Sequence, residues 1–449
     1  MSLRYRRVSL PSQLTKSILN VLKTALFETL SGGLIMSDPP PGMTEAIYPP
    51  NSLPHSLTIL AMGDYFDEMI PVGMLPQSLT ELRFGTHYNK PIIMPGVLPH
   101  SITSITYGTH YDHPVIPGTM PRSLMSLEFG SDFNQSMIDS RSIGTLPSMI
   151  SLTFGGYFNR SLDLHDLPRS LQSLTFGDGF DQLLSPGILP DSITSLTFGY
   201  CFSQPLQPGV LPTSLHTLRL GGDFNHPVPP CTSLTSLTFG FSFNQVLMGM
   251  PGQFPLLLTL EFGDAFNQQL APGQLPLTLT TLKLGYGFRQ KVTPEWLPVS
   301  LTDLTIRRMI EPHNSIIFPQ RLKSLSIPSV EYLNIYVEQM TAEHSVDTIW
   351  IGDTIHEFQL APSSIRLKSL YISSSSGANN RTDEDNIKYI KQIDNCLPNV
   401  ETIHLRIIRY EFGHDGYPIS SRIVYKKGCI IKTDQPNKSD TFKLTLIGP

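Results

Sequence analysis

One phrase returns along this chain at an interval of about 22 residues. It reads LPQSLTELRFGTHYNKPIIMPGV from Leu75, LPRSLQSLTFGDGFDQLLSPGI from Leu167 and LPDSITSLTFGYCFSQPLQPGV from Leu189. The proline of its LP pair stands at Pro54, Pro76, Pro99, Pro121, Pro147, Pro168, Pro190, Pro212, Pro255, Pro276, Pro298 and Pro319. A glycine closes the central segment at Gly63, Gly85, Gly108, Gly130, Gly155, Gly177, Gly199, Gly221, Gly240, Gly263 and Gly285. Small insertions fall around residues 136–144, and the copy near Cys231 has lost its LP pair. Such a period marks a repeat architecture, in which one small unit cannot bury its apolar side alone and stacks on copies of itself.

The phrase has a physical grammar. In SLTSLTFG, which ends at Gly240, apolar residues alternate with small polar ones, the period of a half-buried strand. An aromatic residue and then Asn or Asp follow the glycine, as in Tyr88–Asn89, Tyr111–Asp112, Phe133–Asn134 and Phe158–Asn159. The remaining residues hold P-G and L-P pairs, which a helix interior does not tolerate. Each repeat is therefore expected to form one short strand, a tight turn and an extended return. The strands would stack into a parallel sheet about 4.8 Å apart. The rings would form an aromatic spine inside. The Asx side chains would form a ladder along the corner, accepting hydrogen bonds from turn amides that are otherwise unpaired. That ladder is the expected role of Asn89 and Asn134, in preference to ligand binding.

The unit L-P-x-S-L-T-x-L-x-F-G-x-x-F-N-x-P resembles the FNIP repeat, a relative of the leucine-rich repeat. FNHP (Phe224 to Pro227), YNKP (Tyr88 to Pro91) and YDHP (Tyr111 to Pro114) come closest to its tetrapeptide. The resemblance covers residues 53–310. It implies a β-rich solenoid, a leucine-rich-repeat-like superhelix with one short parallel strand per repeat and few helices, and with it protein binding. It carries over no catalytic residue.

The two ends read differently. Over residues 1–50, Leu14, Ile18, Val21, Leu22, Ala25 and Leu26 fall at helical spacing behind a possible N-cap at Ser12. A cap helix followed by a proline-rich linker is expected, since a solenoid needs its first open layer covered. The segment is also basic and free of acids before Glu28, the make-up of a transit peptide. SLPSQLTKSILNVL from Ser9 loosely resembles the opening helix of an F-box, which gives a second reading as substrate receptor of a ubiquitin ligase. Residues 51–310 would be the solenoid. Over residues 311–449 the LxxLxL rhythm persists in LKSLSI from Leu322, VDTIWI from Val346, LKSLYI from Leu367 and VETIHL from Val400. These predict degenerate repeats. A polar loop is expected over 373–382, a helix from Asp383 and a closing hairpin built from RIVYKKGCIIKT and TFKLTLIG.

Composition narrows the function. Charged residues make up 15% of the chain and the formal net charge is −5, without the basic footprint of a nucleic-acid binder. Cys201, Cys231, Cys396 and Cys429 form no CxxC pair, and no apolar run approaches a membrane span. Phosphate-binding glycine loops, G-x-S-x-G elbows and H-E-x-x-H motifs are missing from the sequence. His87 and His110 occupy equal positions in adjacent repeats with His113 near, but no third metal ligand is evident. Asp163 and Asp166 read as ordinary surface charge in a return loop.

Two surfaces remain. The outward strand positions form a Ser/Thr stripe, from Ser104 and Thr106 to Ser236 and Thr238, interrupted by Glu128, Arg219 and Glu261. A threonine array would suit ice binding if those charges were absent. The second surface is the pair of residues between glycine and aromatic, where the repeats differ most: His87, His110, Asp132, Tyr157, Asp178, Tyr200, Phe241 and Tyr286, with Asp223 and Asp264. Variation inside a monotonous unit is where ligand selection can live, and exposed aromatics suit interface anchors. The expectation is a cytoplasmic, non-catalytic scaffold with no cofactor or metal. Its partners would be proteins, with no nucleic acid and no membrane.

Overall fold

A computed structural model describes residues 53–136, 143–247, 249–293, 295–307, 319, 321–329, 333, 346–352, 365–376 and 391–409, with strand segments at 6–8, 32–36, 419–426, 429–435 and 443–447. The chain divides into two compact units, Met1–Leu234 and Thr235–Pro449.

In the first unit the repeats supply strands β3 (Leu57–Ala61), β4 (Glu81–Arg83), β5 (Ser104–Thr106), β6 (Ser126–Glu128), β7 (Ser151–Thr153), β8 (Ser173–Thr175), β9 (Ser195–Thr197) and β10 (Thr217–Arg219). Each pairs in parallel with the next, and the register advances by one repeat per strand. Leu60, Leu82, Ile105, Leu127, Leu152, Leu174, Leu196 and Leu218 thus form one buried row. The residues on either side of each point outward and are only partly covered, which explains the alternating small polar positions.

The regular coils close through three turns. In the LP segment, Leu79 N–H donates to the Pro76 carbonyl at 3.1 Å. After the strand, Tyr88 N–H donates to the Gly85 carbonyl at 3.3 Å. On the return, Ile188 N–H donates to the Ser185 carbonyl across Pro186 and Gly187, whose φ of 85° suits the third position of a type II turn. The serine of the LP segment joins coils: Ser78, Ser101, Ser170 and Ser192 each donate to a carbonyl one repeat back at 2.6–2.7 Å.

The strand-closing glycine is required for a different reason. Its φ is ordinary, but a Cβ built on Gly108 would lie 1.8 Å from the Gly85 carbonyl oxygen, and one on Gly155 1.6 Å from that of Gly130. Coils approach too closely at this corner for any side chain. Just inside it run two columns of rings. Phe84, Tyr107, Phe129, Phe154, Phe176 and Phe198 end the strands, and Tyr88, Tyr111, Phe133, Phe158, Phe180 and Phe202 follow the turns. Within a coil the rings stack at about 3.9 Å, as for Phe154 and Phe158, and between coils the turn rings lie about 6 Å apart and nearly parallel. The spine expected from the sequence is therefore double.

The Asx ladder is present. Asn89 N–H donates to Asp67 Oδ1 at 2.7 Å, Asp112 N–H to Asn89 Oδ1 at 3.1 Å and Asp181 N–H to Asn159 Oδ1 at 3.0 Å. The following residue reinforces it: Lys90 pairs with Asp67 at 2.8 Å, and Gln182 Nε2 donates to Asn159 Oδ1 at 2.8 Å.

The return loop at 162–166 departs from the pattern. Leu164–His165 replaces the P-G pair, and His165 adopts φ 80°. Asp166 is not surface charge: it is 2% exposed, and its carboxylate accepts the Asp163 N–H at 2.7 Å. The acid stabilises a turn that lacks its usual residues.

Two further strands, β1 (Arg6–Val8) and β2 (Gly32–Met36), continue the parallel sheet below β3. Neither carries the repeat phrase, so sequence periodicity did not mark them. The cap helix, the F-box-like segment and the linker expected in residues 1–50 lie outside the described residues.

The second unit repeats the scheme with β11 (Ser236–Thr238), β12 (Thr259–Glu261), β13 (Thr281–Leu284) and β14 (Asp303–Ile306). A one-turn helix, Met250–Gln253, fills the return before Phe254. The degenerate repeats supply β15 (Ser324–Ile327), β16 (Thr348–Ile351), β17 (Leu367–Ser376) and β18 (Val400–Arg409), still parallel. Of the polar loop expected over 373–382, Ser373–Ser376 are instead strand, paired with Arg406–Arg409, and the remainder lies outside the described residues. Residues 391–396 are helical; the start of that helix lies outside the described residues. Strands β19 (Ile419–Lys426), β20 (Cys429–Gln435) and β21 (Lys443–Ile447) then run antiparallel, extending the expected hairpin to a three-stranded meander on β18.

Candidate binding edge

The i-to-i+3 hydrogen bond across each G-x-x-F turn makes the two residues between glycine and aromatic the turn's corners. Their side chains cannot reach the core, and the turns stack, so successive corners form files along one edge. The backbone fixes the spacing: His87, His110, Asp132 and Tyr157 each donate an N–H to the first-corner carbonyl of the preceding turn at 2.7–3.0 Å.

In the first unit the second-corner file runs Tyr65, His87, His110, Asp132, Tyr157. The Tyr65 and His87 rings stack at 4.7 Å, and His87 and His110 lie 5.2 Å apart at an angle of 56°. His110 Nδ1 bonds Asp132 Oδ2 at 2.7 Å, and His87 Nδ1 bonds the Asp64 carbonyl at 3.0 Å. Both histidine rings are thus oriented by acceptors at Nδ1. Tyr157 stands out at 68% exposed.

Asp178 and Tyr200 occupy first corners instead. Asp178 Oδ1 accepts the Tyr200 N–H at 3.1 Å, as Asp64 Oδ1 accepts that of Thr86 at 3.3 Å, so an aspartate here caps the next turn. The Tyr200 ring lies over Gly222, where a Cβ would meet it at 2.5 Å. Asp223 is exposed at a second corner. In the second unit Phe241 and Tyr286 are exposed first corners, and Asp264 accepts the Tyr286 N–H at 3.0 Å. The structure therefore brings His87, His110 and Asp132 into contact, and leaves Tyr157, Tyr200, Phe241 and Tyr286 as projecting rings.

Inside the first-corner file of the first unit lies an open groove of about 400 Å³. Its polar lining is Asp64, Thr86, Thr109, Ser131, Thr153 and Glu128, over the glycines and rings beneath. It exists because four successive first corners, Thr86, Thr109, Ser131 and Gly156, are small. Beyond it the outward strand faces carry the Ser/Thr stripe, with Thr106, Glu128 and Thr153 in register.

Beneath the groove Phe gives way to Tyr at three spine positions. The Tyr107 hydroxyl is buried beside that of Tyr111 without forming a well-directed hydrogen bond. Burial pushes the Tyr88 and Tyr107 phenols well above their usual range, and raises Tyr111 to about 12.

Among the described residues no three His, Cys, Asp or Glu side chains converge as a metal site. No described helix is long and apolar enough to cross a membrane. The edge offers hydrogen-bonding groups, carboxylates and bare ring faces, the chemistry of recognition.

Two features escaped the sequence reading. Tyr65 holds the same corner as His87, and the signal was there in G-D-Y-F at 63–66. In the second unit Trp350, Tyr371 and His404 stack across three strands at 3.8 and 4.2 Å on the outward face. Their in-register spacing is visible in TIWI, SLYI and TIHL.

Residues 47–87, 66–110, 111–157, 158–201, 202–230 and 251–287 each match the family model described as FNIP Repeat. Among solved structures, the chain is similar to CroV588, described as a novel circular LRR protein, with a TM-score of 0.63 and 29% sequence identity. The match covers 83% of this chain and 55% of that one, so the chain spans about half of that protein's length. No curated protein matches the chain.

Proposed function

Because this chain belongs to the FNIP-repeat proteins, we propose that it is a non-catalytic scaffold that holds protein partners on the G-x-x-F edge of its solenoid. One observation carries this reading. Among the described residues of the FNIP repeats the exposed aromatic rings all stand at these variable corners, with Tyr65, Tyr157, Tyr200, Phe241 and Tyr286 projecting at 54–68% exposure. Large rings on a rigid backbone bury much area at little entropic cost, which is the chemistry of interface anchors.

Residues 51–310 are assigned the binding role and the flanking segments the role of ends. The cytoplasm is the assigned location, in keeping with the unpaired thiols of Cys201, Cys231 and Cys396. The family and structural matches rest on the repeats and lend the ubiquitin-ligase reading no support.

Affinity capture from the cells that make the protein tests the assignment. The wild type is compared with an edge variant (Tyr65→Ser, Tyr157→Ser, Tyr200→Ser) and a stripe variant (Thr175→Lys, Thr197→Lys). Partners lost with the edge variant alone support the reading. Partners lost only with the stripe variant move the site to the strand face, and a wild type that captures nothing specific contradicts a scaffold role.

A further inference from the structure

The groove of the first unit differs in charge from the rest of the sheet face. Of the residues that line it, Asp64 and Glu128 are acidic and none is Lys or Arg. Glu128 is flanked in register by Thr106 and Thr153 and makes no salt bridge with any described residue. The equivalent outward glutamate of the second unit, Glu261, is neutralised by Lys283 at 3.1 Å and Arg307 at 3.8 Å. Glu128 therefore stands at a lined depression with its charge uncompensated.

The floor adds direction. Thr86, Thr109 and Ser131 place one hydroxyl per turn across the strands. From Asp64 to Gly156 the groove crosses four strand spacings, about 19 Å, the length of roughly six extended residues. Next along the turns, the Tyr65 and Tyr157 rings stand at the two ends, where an arginine or lysine could lie against a ring face.

We propose that this groove takes a short extended peptide segment rich in arginine and lysine, whose cations meet Glu128 and Asp64 and whose backbone amides meet the Thr and Ser hydroxyls. The inference rests on the scaffold reading and names the partner chemistry for one part of its edge. The ligand lies across the strands, over the small first corners.

Fluorescence anisotropy on the full chain tests it, with a labelled six-residue peptide of alternating arginine and serine as probe and its glutamate–serine counterpart beside it. The arginine peptide is expected to bind and the glutamate peptide not. Glu128→Gln is expected to weaken binding about threefold to tenfold, Ser131→Arg to abolish it, and Glu261→Gln to leave it unchanged. Circular dichroism and a thermal melt establish that each variant is folded, and Thr109→Arg stands in for any that is not. Equal weakening by Glu261→Gln, equal binding of both peptides, or binding of neutral maltohexaose in their place would overturn the proposal. So would partner capture by Ser131→Arg at the wild-type level, while leaving the scaffold reading intact.

Discussion

Asn134 Oδ1 accepts the backbone N–H of Asn159, its counterpart one turn on, at 3.0 Å, while Asn134's own N–H donates to Asp112 Oδ1 at 2.9 Å. Each Asx therefore closes one coil on the next from both sides. Asn134→Ala strips the Asn159 amide of its acceptor and is expected to cost about 1–3 kcal/mol. Asn134→Asp keeps the acceptor and should lose much less. Urea unfolding of the two variants beside the wild type separates them.

Two kinds of glycine should fail in different ways. Gly130→Ala drives a Cβ to 1.7 Å from the Gly108 carbonyl, and backbone must move to relieve it. The expected loss is about 3 kcal/mol or more. Gly96 faces open space but sits at φ 86°, so Gly96→Ala meets only the left-handed strain, about 1–2 kcal/mol. Denaturant midpoints should rank them in that order.

Much of this was legible in the sequence because the repeat made each residue's role visible many times over. The Asn89 ladder, the ring spine and the outward Ser/Thr rows follow from alternation and from the demand that turn amides be paired. What stayed hidden depends on exceptions. Asp166 could not be recognised as a buried turn acid without knowing that His165 had taken a glycine's conformation. The strands at Arg6–Val8 and Gly32–Met36 carry no repeat punctuation, so only their pairing identifies them. At the edge, composition marked Tyr157 and Tyr200 as projecting. That Asp178 caps the Tyr200 amide is a matter of geometry, shared with Asp64 and Thr86.

Tyr107 occupies a strand-end position that is Phe in the next four repeats, and its buried hydroxyl meets that of Tyr111 without a well-directed hydrogen bond. Removing a poorly satisfied hydroxyl while keeping the ring is expected to stabilise the fold by about 1 kcal/mol. A differential melt of Tyr107→Phe should show a higher Tm, and a lower one would mean the hydroxyl has a role.

Alkaline pH should expose the same cluster. Burial holds the Tyr88, Tyr107 and Tyr111 phenols above the ordinary 10.0, Tyr111 at about 12. The folded state thus binds these protons more tightly than the unfolded chain, so their effect on stability is constant below pH 10. Stability then falls as the pH rises from 10 towards 12. In melts over that range the Tyr88→Phe, Tyr107→Phe, Tyr111→Phe variant should lose Tm less steeply than the wild type.

The binding edge itself is tested most directly by photo-crosslinking from a benzophenone amino acid placed at residue 157, on a projecting corner, or at residue 175, on the outward strand face. The edge reading predicts a discrete protein adduct from position 157 and none from position 175. Adducts from position 175 alone, or from neither, would contradict it.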